Sequence, residues 1–397
     1  MLGIGGEEYA RRQQAMRRLA ARSGLRGVVA WSRGGSAQDR YADVYYLTGF
    51  YQHQPFVPDV PGRWRAQGHA AVLLPVEGPA LLLTDASAVQ EPRPAARLRT
   101  ARDLVDALAE RIRALPPGRI GLIGCEVMAA PWWRRLHSVI PGHELVGADD
   151  LGWQARRRKS PAELDLLRAA GALGRQAMAA ARQAATPGAT EAEVAAAAIA
   201  EITRAGGAYY GMGVSSGAES HTFAASGPAP YRADRRLAAG DLFRIDLYGS
   251  VHGYLFDLAR SWVVGAEPTT EQRRLLDAVR ESVQAGIEML RPGRRIGEVA
   301  RRCQEVFERS AFAAHHGMSG FDGVWGHGLG LSFEPPWVEQ DGPSAGERLE
   351  AGMCLALECR ISMPSVGGAG YEDDVIVTDS GPEPVTAPAL HTLHAER

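Results

Sequence analysis

Two aspartates interrupt the stretch FRIDLYGSVHGYLFD, residues 243–257, whose other side chains are mostly those typical of β-strands. A carboxylate in an apolar setting is costly unless it is neutralised or bound by a cation. The central GSVHG has turn chemistry, so we expect a hairpin that folds about Val251 and His252 and sets Asp246 opposite Asp257. Directly opposed residues have Cβ atoms roughly 5 Å apart. Two like charges at that distance repel, so the pair predicts a bound cation.

A second acidic hairpin is predicted further along the chain. Apolar runs at 355–361 and 371–377 flank the Pro- and Gly-rich segment SMPSVGGAG, and folding about Ser365 sets Glu358 opposite Glu372. Four carboxylates that meet in one place need roughly four positive charges, which two divalent cations supply.

The two hairpins belong to an internal repeat. TPGATEAEVA (186–195) and RPGRRIGEVA (291–300) share Pro-Gly and Glu-Val-Ala at matching offsets, and each lies between helical stretches. AGDLFRIDLYG begins at Ala239 and AGMCLALECRI at Ala351, and each places an acid seven residues after its first Ala. The order predicts helix, helix and hairpin, repeated around a pseudo-twofold axis. Chance similarity of Ala- and Gly-rich sequence is the alternative reading.

A histidine between glycines, His327 in VWGHGLGLSFEPPW, is a further candidate ligand. A lone histidine is more often structural, but beside a carboxylate cluster it adds a nitrogen donor. Carboxylates with one imidazole favour Mn²⁺, Fe²⁺, Co²⁺ or Zn²⁺ over Mg²⁺. The alternative to a metal site is that one carboxylate pair faces solvent or forms salt bridges with Arg244 or Arg260.

The chain is long enough for two domains. Short apolar runs (GVVAW, AAVLLP, ALLLTD) and the amphipathic stretch RDLVDALAERIRAL predict an α/β domain over residues 1–155. The boundary is QARRRKSPAELDLLRAAG, where Ser160 and Glu163 form a capping box that starts a helix of the second domain, residues 156–397. Lys159, the only lysine, lies in this basic run, which we interpret as a solvated linker; that argues against a lysine Schiff base.

Composition narrows the choice of partners. The 397 residues have a net charge of −2, which gives no reason to expect nucleic acid or an anionic membrane as partner. No apolar run approaches the ~18 residues of a membrane span, and the N-terminal sequence does not have the pattern of a signal peptide. The four cysteines are scattered without a CxxC pair, as in reduced proteins, so we expect a cytoplasmic protein.

The candidate ligands resemble those of a known family, the pita-bread metallopeptidases, which include aminopeptidase P, prolidase and methionine aminopeptidase. The residues similar to the five metal ligands of that family are Asp246, Asp257, His327, Glu358 and Glu372. GYLFDLARSWVVG and YEDDVIVT are similar to the family's ligand motifs. DVYYLTGF is similar to the N-terminal domain of the aminopeptidase P, prolidase and creatinase branch. The resemblance extends over nearly the whole chain.

The resemblance implies a fold and a cofactor. The fold is an α/β N-terminal domain of the creatinase/prolidase type plus an α+β pita-bread C-terminal domain with a pseudo-twofold internal repeat. The cofactor is a pair of divalent transition-metal ions. The implied partners are a small-molecule or dipeptide-sized substrate and a second copy of the chain, in a homodimer. The complete ligand set argues against a metal-free site of the creatinase type.

The sequence also departs from the family at positions near the substrate. Glu334 stands where the Xaa-Pro-cleaving enzymes have a histidine, Gly323 where aminopeptidase P has another, and Gly370 where the family has an arginine. His221, in GAESHTFAASG, is similar to the family's active-site histidine. These departures do not affect the predicted metal ligands, but they leave open whether the protein hydrolyses peptides.

We therefore expect a metal-dependent hydrolase that cleaves a C–N, amide-like bond. Asp257 and Glu372 would bridge the ions, and Glu358 would shuttle the proton of the attacking water. His221 would donate to the leaving nitrogen or stabilise the oxyanion. Glu334 would face the substrate, which suggests a cationic or amine-bearing molecule.

Three alternatives remain open at this stage. The first is a lyase, similar to dimethylsulfoniopropionate lyase, in which Glu334 removes a proton. The second is a true Xaa-Pro peptidase that tolerates Glu334, and the third is a catalytically silent binding module. The segment 51–64 is either a cover for the active site or a plain surface loop.

Overall fold

The structure is a computed structural model that describes residues 3–34, 39–53, 68–86, 95–225, 227–313, 323–364 and 366–387. Most of the segment 51–64 and the expected hairpin midpoint Ser365 lie outside the described residues. Within these ranges, no helix is both long enough and apolar enough to cross a membrane. By their contacts, the residues divide into two compact units, Gly3–Arg156 and Arg157–Arg397.

The first unit is a six-stranded mixed sheet with flanking helices, in the strand order β4-β3-β2-β1-β5-β6. Its elements are α1 (Gly6–Arg22), β1 (Leu25–Arg33), α2 (Ala42–Thr48), β2 (His69–Pro75), β3 (Leu81–Thr84), β4 (Arg97–Thr100), α3 (Leu104–Ile112), β5 (Gly118–Ile123), α4 (Ala130–Ser138), β6 (His143–Gly147) and α5 (Asp149–Arg156). The three apolar runs singled out in the sequence lie in β1, β2 and β3, and their side chains are almost all buried. The predicted α/β character of this part of the chain is confirmed.

The second unit contains a three-stranded and a five-stranded sheet with two pairs of helices. Its elements are α6 (Pro161–Ala184), α7 (Glu191–Arg204), β7 (Ala208–Ser216), β8 (Leu242–Val251), β9 (Tyr254–Val263), α8 (Thr270–Ile287), α9 (Ile296–Phe307), β10 (Gly326–Leu329), β11 (Phe333–Glu334), β12 (Cys354–Met363), β13 (Gly367–Thr378) and β14 (Gly381–Pro384). The sheets have the orders β7-β8-β9 and β11-β10-β12-β13-β14. A short 3₁₀ turn, Gly217–His221, follows β7.

The predicted repeat is present as two helix pairs, each covering an acidic hairpin. Helices α6 and α7 share a core with β7, β8 and β9, and α8 and α9 share a core with β12 and β13. The capping box of Ser160 and Glu163 starts α6 as expected. On β8, Phe243 and Ile245 belong to the core, and because side chains alternate along a strand, Asp246 faces the opposite side. The α+β character with an internal repeat is confirmed.

The two hairpins differ in how well the sequence predicted their register. Glu358 lies directly opposite Glu372, as predicted. In the first hairpin the prediction was wrong, because Asp246 pairs with Ala259. The turn is a two-residue one at His252 and Gly253, whose φ angles of 50° and 82° are left-handed as in the mirror-image turns that hairpins favour.

The observed register differs from the predicted one by two residues, so each side chain still projects from the predicted face of its strand. Asp257 pairs with Tyr248, two residues from Asp246. Since the side-chain period of a strand is two, Asp246 and Asp257 still project from the same face as diagonal neighbours. The inference that both carboxylates meet on one face is thus correct for a different reason than the one the sequence suggested.

Candidate metal centre

The predicted ligands are all buried, on five strands of the second unit. Their exposed fractions are 5% for Asp246, 6% for Asp257, 7% for His327, 8% for Glu358 and 2% for Glu372. Three of them, Asp257, His327 and Glu372, place one ligand atom each within 4.8 Å of one another. His327 Nε2 lies 3.6 Å from Asp257 Oδ2 and 3.9 Å from Glu372 Oε1. We call the five residues the carboxylate cluster.

The two remaining carboxylates, Asp246 and Glu358, interact electrostatically with this group. Burial, followed by the charges of Asp257 and Glu358, raises the pKa of Asp246 to about 8. Burial and the same two neighbours hold the pKa of Glu372 well above its usual range. Burial lowers the pKa of His327, but the carboxylates of Asp257 and Glu358 outweigh it and the net change is upward. Without a cation, the cluster carries more negative charge than its buried setting tolerates.

The residues present fit a metal site. Asp246 Oδ1, Asp257 Oδ1 and Glu372 Oε1 are buried and have no hydrogen-bond partner among the described residues. Buried oxygens of this kind are rare unless an ion or a proton satisfies them. His327 Nδ1 contacts the carbonyl of Gly328 at 3.1 Å, which leaves Nε2 directed at the cluster. Four carboxylates and one imidazole suit a divalent transition metal.

Two aspartates that the sequence reading did not single out hold the ligand strands in place. Asp374 Oδ2 accepts a hydrogen bond of 2.9 Å from the main-chain N–H of Asp257, between β13 and β9. Asp373 Oδ1 lies 2.6 Å from Arg260, and Arg260 also donates to the carbonyl of Glu372. Both aspartates are part of the YEDDVIVT motif, but their partners lie more than a hundred residues away, so local sequence gives no signal for the pairing.

The structure places Glu334 away from the cluster, contrary to the prediction that it faces the substrate. Glu334 pairs in register with Gly328, whereas Phe333 is paired with Leu329 and its ring centroid lies 5.1 Å from that of His327. Because successive side chains of a strand point to opposite faces, Glu334 is directed away from the imidazole.

The carboxylate of Glu334 instead forms an ion pair with Lys159, the only lysine of the chain. Lys159 Nζ lies 3.2 Å from Glu334 Oε1, and the two side chains are 3% and 0% exposed. Ser332 Oγ donates to the other oxygen at 3.3 Å. The main chain of Lys159 donates to the carbonyl of Gly352 at 2.8 Å. The interpretation of this run as a solvated linker is therefore wrong at Lys159, although Arg158 beside it stays exposed.

Aromatic rings line the His327 side of the cluster. The Trp337 ring centroid is 5.8 Å from that of His327, and Phe333 also contacts Tyr248 at 5.7 Å. Tyr210 closes the group, 6.0 Å from Phe333. Tyr248 follows Asp246 by two residues on β8 and so shares its face. This side of the site is an apolar, aromatic wall.

His221 lies on the 3₁₀ turn that packs against β13. Its Nδ1 is 2.7 Å from the carbonyl of Ala218. Its main chain lies against Gly368, where a Cβ would be 2.9 Å from the Cα of His221 and 2.3 Å from the carbonyl oxygen of Ser220. Among the described residues, no hydrogen bond or ion pair joins the His221 ring to the carboxylate cluster. The catalytic role predicted for it stays a prediction.

Family models match both units of the chain. The model described as Metallopeptidase family M24 matches residues 165–379, and the model described as Creatinase/Prolidase N-terminal domain matches residues 12–157. The first match spans every residue of the carboxylate cluster.

Named relatives agree with these matches. The chain is 29% identical to the Xaa-Pro dipeptidase of Pyrococcus furiosus, over 61% of this chain and 67% of that protein. It is 30% identical to the probable dipeptidase PepE of Mycobacterium tuberculosis, over 66% of this chain and 70% of that protein. The solved structure of the dipeptidase PepE from Mycobacterium ulcerans is 25% identical and superimposes with a TM-score of 0.77, over 97% of both chains. The sequence alignments thus span about two thirds of the curated relatives' length.

Proposed function

Because the chain belongs to metallopeptidase family M24 and is a metal-dependent hydrolase, we propose that it cleaves the C–N bond of a dipeptide-sized substrate. The observation that carries this proposal is the buried group of Asp257, His327 and Glu372, whose ligand atoms lie within 4.8 Å of one another. Relatives named as Xaa-Pro dipeptidase and probable dipeptidase support a dipeptide as the substrate class.

The cofactor we propose is a pair of divalent transition-metal ions, drawn from Mn²⁺, Fe²⁺, Co²⁺ and Zn²⁺. The residues that would hold them are Asp246, Asp257, His327, Glu358 and Glu372. When bound, such ions polarise a carbonyl and supply activated water at neutral pH.

The chain's own residues then have separate tasks in the reaction. Glu358 binds Arg360 through Oε2 at 3.1 Å, and its second oxygen would accept the proton of the attacking water. His221, whose Nδ1 is held by the carbonyl of Ala218, would present Nε2 to the leaving nitrogen. The aromatic wall of Phe333 and Trp337 would exclude water from one side of the scissile bond.

Hydrolysis is favoured over elimination by the placement of Glu334. The lyase alternative relied on this carboxylate as the base that removes a proton. Its pairing with Lys159, on the face opposite His327, supports a structural task instead. We therefore do not retain Glu334 among the proposed catalytic residues.

A substrate panel with metal-reconstituted protein tests the proposal. Xaa-Pro dipeptides should be cleaved with one atom of solvent ¹⁸O incorporated per turnover, and chelation should stop the reaction. Elimination from dimethylsulfoniopropionate without ¹⁸O incorporation, together with inert dipeptides, would contradict it. The homodimer implied by the resemblance stays a prediction, which sedimentation equilibrium of the same preparation addresses.

A further inference from the structure

We propose that a groove at the edge of the sheet in the first unit binds an amphipathic anion, a molecule with an apolar body and a carboxylate or phosphate group. The groove lies between β3, the edge strand β4, the turn that joins β2 to β3 and the C-terminal end of α3. We call it the edge groove, and its lining includes Leu81, Arg97, Arg99, Arg111 and Leu115. Its volume is about 570 Å³, within the usual range of small-molecule sites. Because the carboxylate cluster belongs to the second unit, the inference does not rest on the proposed function.

The floor of the edge groove is apolar. On β3, Leu83 belongs to the core that the sheet shares with α3, and Leu81, two residues earlier, faces the same side. Leu81 and Leu115 pack against that core but are only partly buried. The core of the first unit therefore reaches the surface along the groove and leaves apolar area there that a ligand can cover.

Two arginines of β4 stand beside this floor. Arg97 is paired in register with Leu81, and Arg99 with Leu83. Paired residues project from the same face of a sheet, so both guanidinium groups lie on the α3 side, next to the apolar floor. Arg97 is exposed, and its guanidinium has no side-chain partner among the described residues. This cation is therefore available to a ligand.

The ion pairs around the groove leave it with an excess of positive charge. Arg99 Nη1 lies 3.0 Å from Glu110 Oε2, and Arg111 Nη2 lies 3.6 Å from Glu110 Oε1, so one carboxylate serves two arginines. The charged residues that line the groove are three arginines and a single carboxylate, Glu77. Within the described part of the chain, Glu77 forms no ion pair with any of them. A cleft with such an excess attracts anions.

A further arginine holds the opposite wall. Arg17 donates to the carbonyl of Pro75 at 3.1 Å and to that of Gly78 at 2.9 Å. Both of these residues line the groove. The bonds fix the turn that forms this wall and place another guanidinium beside it. The cavity is thus shaped by contacts within the folded chain, which lowers the cost of binding.

Two structural explanations do not account for the groove. Arginines near a helix C-terminus can satisfy its last carbonyls, but here the carbonyls of Ala109, Arg111 and Ile112 accept main-chain N–H groups from the three residues that follow α3. Charged side chains on an edge strand also discourage pairing with another chain. That role explains arginines on β4, but it does not explain the apolar cavity that they border.

The lining determines the chemical class of the ligand. A guanidinium binds a carboxylate or phosphate through two parallel hydrogen bonds. An apolar body would cover Leu81 and Leu115, whereas a bare inorganic anion would leave them exposed to water. A neutral apolar molecule would leave the arginines unpaired. The combination fits a molecule that has both parts.

Two dyes with nearly the same skeleton test the proposal on the metal-loaded full chain. Anilinonaphthalenesulfonate carries an anionic group that phenylnaphthylamine lacks, and the fluorescence of both rises on binding. Wild-type protein should bind the sulfonate tighter by roughly tenfold or more, and added salt should reduce that preference. Octanoate and octyl phosphate are then compared as competitors. The one that displaces the sulfonate at lower concentration identifies the head group, carboxylate or phosphate.

Variants assign the binding to the groove. Arg97→Glu should weaken binding of the sulfonate by roughly tenfold, because it reverses the charge of the available cation. Arg119→Glu makes the same change at an exposed arginine of β5 outside the groove and should stay within a few-fold of wild type. Arg97→Gln removes the charge without reversing it, and it serves if the Glu variant does not fold.

Several results would overturn the proposal. They are equal affinity of wild type for the two dyes, wild-type affinity for the sulfonate in Arg97→Glu, an equal loss in Arg119→Glu, and failure of both competitors. Sedimentation equilibrium addresses a different occupant. A wild-type dimer that dissociates in Arg97→Glu, in a protein that does not bind the sulfonate, would assign the groove to a second copy of the chain and not to a small anion.

Discussion

The main-chain N–H of Asp257 donates to Asp374 Oδ2 at 2.9 Å, so a residue of one sheet positions a predicted metal ligand of the other. Asp374 is itself held by Thr386 Oγ1, which accepts from its main-chain N–H at 2.7 Å. This contact joins β9 to β13 at the level of the carboxylate cluster. Orientation of the cluster thus depends on a carboxylate that need not touch the metal.

We predict that Asp374→Ala weakens metal binding without removing a predicted ligand. Loss of a supporting hydrogen bond of this kind lowers metal affinity by roughly 10- to 100-fold. Asp374→Asn retains an acceptor oxygen and should remain within a few-fold of wild type. Chelator competition measures both affinities, and wild-type affinity in the Ala variant would show that the contact has no influence on the cluster.

Glu334 and Lys159 are predicted to act as a structural pair. Glu334→Ala leaves a buried ammonium uncompensated, so the free energy of unfolding should fall by about 3–5 kcal/mol. The double variant Lys159→Met, Glu334→Leu removes both charges and should recover most of that loss while keeping metal and hydrolysis. Urea denaturation gives the stabilities. A double variant that is stable and metal-loaded yet inactive would instead give Glu334 a role in the reaction.

The metal-free protein is predicted to lose stability as the pH rises. The pKa of Asp246 is raised from 3.8 to about 8 by burial and by Asp257 and Glu358, against the opposing charges of Arg360 and Arg244. Between those two values the folded state holds a proton that the unfolded state has released. The Asp246 proton alone should therefore lower stability by up to about 1.4 kcal/mol per pH unit through this window.

Urea denaturation in the presence of chelator, at pH values from 5 to 8, measures this slope. Asp246→Asn should make the slope shallower, because one titrating carboxyl group is gone while Glu372, whose pKa is also raised, remains. Adding metal should reverse the slope, since deprotonated ligands bind the ion. A metal-free protein whose stability rises over this range would contradict the assignment of a strained, buried carboxylate cluster.

The sequence predicted the register of the second acidic hairpin correctly and that of the first incorrectly. The strand periodicity around Glu358 and Glu372 gave the correct register, because the apolar runs on both sides fix one pairing. GSVHG offers several turn centres, and the one used depends on left-handed φ at His252, which the sequence alone did not specify. Because the register error is two residues, one full side-chain period of a strand, Asp246 still projects from the predicted face.

Contacts between distant segments explain what the sequence did not predict. Lys159 lies in a basic run whose local pattern is that of an exposed linker, and its partner is 175 residues away. Arg244 was considered only as a salt-bridge partner for a carboxylate, whereas its buried guanidinium makes no hydrogen bond among the described residues and lies over the ring of Phe223. Burial of charge is a tertiary property, so periodicity and composition carry little information about it.

The measurement that tests the central claim most directly is the metal content of Asp257→Ala by inductively coupled plasma mass spectrometry, with dipeptide hydrolysis assayed on the same sample. Wild type and the exposed control Asp379→Ala should hold about two transition-metal ions per chain and turn over substrate. Asp257→Ala should hold less than about one ion per chain and be inactive, because it loses a carboxylate of the buried ligand group. An Asp257→Ala protein with wild-type metal content and full activity would contradict the account.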